Sequence, residues 1–73
     1  MEHKVNAPMP GLVARVVINI GDTVSAGQEV AVINCMKTEI SVTCEQSGTV
    51  SGILVKEWDE MQVGDPMVVL DLG

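Results

Sequence analysis

The sequence predicts an all-β fold in which two copies of a four-strand unit pack together as a sandwich or flattened barrel. The first observation is that the apolar residues form short, β-branched runs, and no segment shows a convincing 3.6-residue period. The second is an internal repeat. The third is size, because the 73 residues make one small domain, 1–73, and each half alone has too little core to fold.

The repeat becomes visible when the sequence is shifted against itself by 37 residues. Several of the identities are glycines or a turn aspartate, the positions where backbone geometry is most demanding. The two copies cover about 2–36 and 39–73, which leaves Lys37 at their junction. Seven pairs are identical without a gap: Glu2 and Glu39, Val5 and Val42, Gly11 and Gly48, Val13 and Val50, Asp22 and Asp59, Gly27 and Gly64, and Val32 and Val69.

The first half predicts strands at 3–6, 12–20 and 29–34, with a short bridge at 23–24. Two prolines and a glycine at 7–11 enforce a bend. Gly21 and Asp22 form a tight turn, and 25–28 form another.

The second half predicts strands at 40–45, 49–56 and 67–72. In the first of these, Ile40, Val42 and Cys44 alternate with polar residues, which places Cys44 on the buried face. Trp58, the only aromatic residue, stands where the repeat predicts a glycine. The turn at Trp58 must therefore differ from the turn at Gly21 or hold strain, and we expect it to differ.

The stretch between the two copies, residues 34–39, joins two β-branched runs and most economically forms a hairpin. A two-residue tip at Met36 and Lys37 would leave Cys35 facing Thr38. Such a turn needs positive φ at both central residues, which favours Asn and Gly over Met and Lys. Local preference is overridden here, as is typical of functional sites. A lone lysine is most simply a solvated side chain. The position of Lys37 at the centre of a repeat favours a functional role for it.

Composition excludes several classes of function. Four basic and ten acidic residues give a net charge of −6, which argues against nucleic-acid binding. No apolar run approaches the roughly 18 residues that span a bilayer, and no leader-like segment opens the chain. The hairpin would separate Cys35 from Cys44, so we expect two reduced thiols and a cytoplasmic location.

Other candidate sites have simpler explanations. Cys35 could be a nucleophile, but His3 is the only histidine that could serve as its base, so this pair is a weak candidate. One His with two Cys does not make a zinc site. Asp22 and Asp59 are explained by the repeat as turn residues. A stand-alone enzyme is therefore the weakest of the hypotheses, and we expect no catalytic residue and no metal site.

The centred Met36-Lys37 pair and the Ala-Pro-Met-Pro-Gly turn at 7–11 resemble the biotinyl branch of the biotinyl/lipoyl carrier domain family. The resemblance covers nearly the whole chain, and the turns at 21–24 and 25–28 are similar to those of both branches. Cys35 stands where the family usually has Ala or Ser, and Thr38 where it has Met. The short segment between Ile18 and Asp22 has no room for a protruding thumb, so the chain looks like the thumbless carriers.

The resemblance implies a barrel-sandwich hybrid of two four-stranded antiparallel sheets, related by a pseudo-twofold axis, with Lys37 protruding at one end. It implies that a biotin protein ligase attaches biotin to Lys37. We expect the flanking residues Met36, Cys35, Thr38 and Glu39 to contribute to recognition by the ligase or other partners. For Met36 the alternative is an apolar shelf beside the arm. The arm, with a reach on the order of 15 Å, would carry carboxyl between biotin carboxylase and a carboxyltransferase or decarboxylase component.

By the same resemblance the domain would be non-catalytic and monomeric in isolation. Two alternatives stay open: Lys37 carries lipoate, or the fold serves as a binding module whose lysine is never modified. Lipoyl domains typically present Asp-Lys-Ala, whereas Met36 and Thr38 flank the lysine here.

Overall fold

The computed structural model describes residues 1–73 and contains eight β-strands and no helix. The predicted all-β fold is confirmed, and no helix is present that could cross a membrane. The strands are β1 (Glu2–Asn6), β2 (Gly11–Val16), β3 (Thr23–Val24), β4 (Glu29–Cys35), β5 (Thr38–Thr43), β6 (Gly48–Ile53), β7 (Glu60–Met61) and β8 (Pro66–Asp71).

The strands form two four-stranded sheets in which every pairing is antiparallel. One sheet has the order β5-β4-β2-β7, and we call it the lysine sheet because Lys37 joins β4 to β5. The other has the order β1-β8-β6-β3, and we call it the terminal sheet because it contains both chain ends. The predicted sandwich of two four-stranded sheets is confirmed.

The 37-residue offset of the sequence relates the strands of the two halves, and it also relates their cores. Of the 17 buried residues, all but Val32 have a counterpart at that offset that is also buried. Because both members of each pair lose their contact with water, the halves share one apolar core, as the pseudo-twofold arrangement requires. The pairs are Val5 and Val42, Ala7 and Cys44, Val13 and Val50, Ile18 and Val55, Val24 and Met61, Val30 and Met67, Ala31 and Val68, and Ile33 and Leu70.

Strands β2 and β6 end earlier than the sequence predicted, at Val16 and Ile53 rather than at residues 20 and 56. The chain leaves one sheet at these points and crosses to the other. After β2, for example, the backbone N–H of Gly21 donates to the carbonyl of Val50 at 2.8 Å, on the terminal sheet. The apolar residues beyond Val16 line this crossing, which is why β-propensity alone placed them in a strand.

The expectation that the turn at Trp58 differs from the turn at Gly21 is wrong. Both residues have positive φ, 72° for Trp58 and 94° for Gly21. The Trp58 N–H donates to the carbonyl of Val13 at 2.7 Å, as the Gly21 N–H does to Val50. The pairing between the halves fixes the backbone of both turns, and it holds Trp58 in a left-handed conformation that a side chain disfavours.

We expect Trp58→Gly to leave the free energy of unfolding unchanged or to raise it by about 1 kcal/mol. Glycine removes the cost of the left-handed conformation, about 1–2 kcal/mol, and part of this gain is lost to the greater freedom of the unfolded chain. The indole covers little surface, since Trp58 is 66% exposed. Urea unfolding followed by circular dichroism measures the change, and a loss above about 2 kcal/mol would show that the ring packs on the domain.

Candidate functional site

Lys37 lies in a two-residue turn that joins β4 to β5. The last pair of the ladder is Cys35 opposite Thr38, as the sequence predicted. Met36 has a φ of 52° and Lys37 a φ of 69°, so both central residues are left-handed. In a two-residue hairpin, a turn of this kind has a backbone twist that matches the twist of the two flanking strands. The ladder imposes it on two residues that do not favour it.

The side chains of the turn project into solvent. Met36 is 92% exposed, and Lys37 and Thr38 are exposed as well. Neither ion pair of the structure includes Lys37, and no hydrogen bond involves its side chain. The amine at the tip is therefore accessible to a partner.

The base of the hairpin is held by the core. In β4 four consecutive residues, 30–33, are buried, and Ile33 is opposite both Ile40 in β5 and Val13 in β2. Because β4 is an inner strand with a neighbour on each side, its backbone is hydrogen-bonded along both edges. The exposed lysine side chain thus stands on a fixed support.

Glu39 is exposed and also pairs with Arg15. Arg15 Nη1 lies 3.3 Å from each carboxylate oxygen of Glu39, so the pair links β2 to the outer arm of the hairpin across β4. Both side chains are about half exposed, which limits such a pair to about 0–1 kcal/mol. The counterpart of Arg15 in the second half is Gly52, which cannot form this pair.

A shallow groove of about 480 Å³ runs along the β2 side of the hairpin. A side chain at Gly11 would clash with β4, because its Cβ would approach Cγ2 of Ile33 to 2.6 Å and the carbonyl oxygen of Asn34 to 2.7 Å. The groove was not predicted from the sequence, because it depends on how β7 pairs with β2. It is lined by Pro10, Gly11, Leu12, Asn34, Cys35, Met36 and Glu60.

Comparison with known proteins places this geometry in a family. A family model described as "Biotin-requiring enzyme" (Biotin_lipoyl) matches residues 3–70. The chain belongs to this biotin/lipoyl family. It is 38% identical over 64 residues to the biotin carboxyl carrier protein of Streptococcus mutans, and 40% identical over 65 residues to the mitochondrial propionyl-CoA carboxylase alpha chain of Homo sapiens.

The two matches cover 88% and 89% of this chain. The chain spans about half of the streptococcal protein, 49%, and 9% of the human chain. The crystal structure of Kluyveromyces lactis urea carboxylase contains a similar fold, with a TM-score of 0.91 and 34% identity, over 97% of this chain and 6% of that one. A lipoyl protein matches as well. The dihydrolipoyllysine-residue acetyltransferase component of the Haemophilus influenzae pyruvate dehydrogenase complex is 37% identical over 59 residues, 81% of this chain and 10% of that one.

In the terminal sheet, the two ends of the biotin/lipoyl domain occupy the place of the lysine turn. The N-terminal ammonium of Met1 donates to the carbonyl oxygen of Gly73 at 3.1 Å. The N–H of Gly73, and after it the ammonium group, hold the pKa of Asp71 below its usual value. In the lysine sheet a closed two-residue turn stands at this position.

The aspartates at the turns have structural roles. Asp22 Oδ2 accepts from the N–H of Asn19 at 2.8 Å, and Asp59 Oδ2 accepts from the N–H of Lys56 at 3.0 Å. These matching bonds close the two crossing turns. No group of three or more His, Cys, Asp or Glu side chains is arranged to hold a metal ion.

The two cysteines are unpaired, as predicted. Cys35 is half-buried beside the turn, whereas Cys44 is buried and its thiol donates to the carbonyl oxygen of Ser25 at 2.9 Å. Cys44 is the counterpart of Ala7 and acts as a small apolar core residue, as the strand period indicated.

We therefore expect the native domain to react with one equivalent of a thiol reagent and the unfolded domain with two. Cys35 is accessible without unfolding, whereas Cys44 requires the core to open, so its labelling rate follows the opening equilibrium. Titration with a chromogenic disulfide, with and without guanidinium, measures both. Freshly made protein with no free thiol after unfolding, in the absence of reductant, would contradict the expectation.

Proposed function

We propose that this chain is a biotin carboxyl carrier domain and that biotin is attached to Lys37. The observation that carries the proposal is an exposed, unpaired lysine at the tip of a two-residue turn on a fixed hairpin, in a chain of the biotin-requiring family. A covalent amide on this amine fits the site, because a group attached there meets no surrounding wall and no competing ion pair.

The chain contributes an amine and its placement. Acylation by a biotin protein ligase requires the neutral amine to attack the activated carboxyl group of biotin, which forms an amide and releases AMP and a proton. We propose that Met36, Cys35, Thr38 and Glu39 meet the ligase or later partners, since they flank Lys37 on the turn. Once attached, biotin supplies a site that accepts and gives up a carboxyl group.

The partners that we propose are a biotin carboxylase and a carboxyltransferase or decarboxylase component. Similarity to a carrier protein and to carboxylase chains, within which a domain of this length is a small part, supports them. Tethering would keep the local concentration of the carried group high at both partners. The unpaired cysteines support a reducing compartment, and we propose the cytoplasm.

Lipoate is the second candidate for Lys37, because a lipoyl protein is among the relatives. Three observations favour biotin. Met36 precedes the lysine where lipoyl domains typically have an acid, Thr38 follows it where they have alanine, and residues 7–11 resemble the opening turn of the biotinyl branch. The third candidate is an unmodified module of the same fold.

The experiment offers the purified domain to a biotin ligase and, separately, to a lipoate ligase, and reads intact masses. We expect biotin to add once. Addition of lipoate but not biotin would contradict the proposal, and no addition by either enzyme would favour the unmodified module. A known substrate domain for each ligase controls for enzyme activity.

A further inference from the structure

The two sheets have the same backbone but different outer surfaces, so each residue of the lysine sheet has a counterpart of equal geometry in the terminal sheet. Beside the lysine hairpin, three small or polar counterparts are replaced by larger or charged residues. The replacements are Leu12 for Thr49, Trp58 for Gly21, and Glu60 for Thr23. The fold does not require these residues, because it forms with the counterparts in the terminal sheet. They therefore serve something that only the lysine sheet has.

The replacement of Gly21 by Trp58 is the largest of these changes in side-chain size. The φ of Trp58, 72°, is a left-handed conformation, which is unfavourable for any residue that has a side chain. Trp58 is 66% exposed, so most of the indole is in water. Neither backbone geometry nor packing in the isolated domain accounts for a tryptophan here. Such residues are found where a partner uses them, and tryptophan is enriched among the residues that dominate binding energy.

The strand pairing connects Trp58 to the lysine hairpin. Glu60 in β7 is opposite Leu12 in β2, and Leu12 is opposite Asn34 near the end of β4. Glu60 and Met36 both line the groove beside the hairpin. Trp58 lies next to these residues, because its N–H donates to the carbonyl oxygen of Val13, the neighbour of Leu12 in β2. We call the exposed residues Leu12, Met36, Trp58, Glu57 and Glu60 the Trp58 surface.

We propose that the Trp58 surface docks the enzyme that acylates Lys37, and that this enzyme presents an apolar recess bordered by basic residues. The inference rests on the proposed function. Glu57, Asp59 and Glu60 lie within two residues of Trp58 in the sequence, and the domain has a net charge of −6, so a basic partner is complementary to it.

Reach favours the acylating enzyme over later partners. A lysine side chain places its amine only about 6 Å from Cα, given bond lengths near 1.5 Å. An active site that reaches this amine must come against the hairpin and the sheet face beside it. A partner that acts at the far end of a longer arm has no such constraint.

The test compares biotinylation kinetics of the wild type, Trp58→Gly and Ile20→Ala, using a purified biotin protein ligase. Ile20 is the matched control, because it is 67% exposed and lies in the equivalent turn beside the terminal sheet. We expect Trp58→Gly to raise KM about tenfold with kcat unchanged, as for loss of a binding anchor, without lowering the unfolding midpoint. Ile20→Ala should leave both constants within twofold.

Charge is tested with the double variant Glu57→Gln/Glu60→Gln, which should raise KM and weaken its dependence on salt. A Trp58→Gly domain biotinylated as efficiently as the wild type would overturn the inference while leaving the proposed function intact. A tenfold loss in kcat with KM unchanged would also overturn it, because docking would then not be the affected step. A wild type that takes no biotin, beside a positive control that does, would overturn both.

Discussion

Lys37→Arg is expected to abolish biotin incorporation. A guanidinium remains protonated at any pH that the domain survives, so the variant keeps the positive charge and length of the side chain but has no neutral amine to acylate. The fold should be unaffected, because the replaced side chain is exposed and makes no hydrogen bond or ion pair. Intact mass after reaction with a biotin protein ligase and ATP measures the loss.

The controls are Lys4→Arg and Lys56→Arg, which remove the other two lysines of the chain. All three lysines are exposed, so exposure alone does not select among them. Only Lys37 lies at the tip of a two-residue turn, whereas Lys4 is within β1. Full incorporation is expected in both controls. Residual biotin on Lys37→Arg would mean that another group accepts it and that the hairpin does not define the site.

Ile33→Ala is expected to lower the free energy of unfolding by about 2–5 kcal/mol, the usual cost of removing a large aliphatic side chain from a core. Ile33 is completely buried and supports the hairpin from below. A domain of 73 residues has only roughly 4–11 kcal/mol of stability, so this single change removes a large part of it. Urea unfolding followed by circular dichroism gives the difference.

Two further variants make this a test of the shared core. Leu70 is the counterpart of Ile33 and is equally buried, so Leu70→Ala should cost a similar amount even though it lies in the terminal sheet. Leu12 is 42% exposed, so Leu12→Ala should lower the free energy of unfolding by less than about 1 kcal/mol. A Leu70→Ala domain as stable as the wild type would contradict a core built equally from both halves.

The repeat explains why so much of the fold was predictable. An offset of 37 residues fixes which turns and strands correspond. The identities Gly27 with Gly64 and Asp22 with Asp59 mark turns that the structure does form, whereas Gly11 and Gly48 begin β2 and β6. The two-residue tip at Met36 and Lys37 followed from the short spacing between two β-branched runs, and the positive φ of both residues confirms it. Long-range pairing was not needed for these predictions.

The features that could not be predicted depend on contacts between the halves. The early ends of β2 and β6 follow from hydrogen bonds to the opposite sheet, which leave no local sequence signal. The same contacts hold Trp58 in the geometry of Gly21, against the local preference that the sequence indicated. The ion pair between Arg15 and Glu39 spans an intervening strand, so residue spacing alone does not reveal it.

The central claim, that Lys37 carries a transferable carboxyl group, has one direct measurement. Domain that intact mass shows to be fully biotinylated is given a biotin carboxylase, ATP and labelled bicarbonate, and the label bound to the domain is counted after rapid gel filtration. We expect label on the wild type and none on Lys37→Arg carried through the same steps. A fully biotinylated domain that stays unlabelled, while free biotin is carboxylated in the same preparation, would contradict the account.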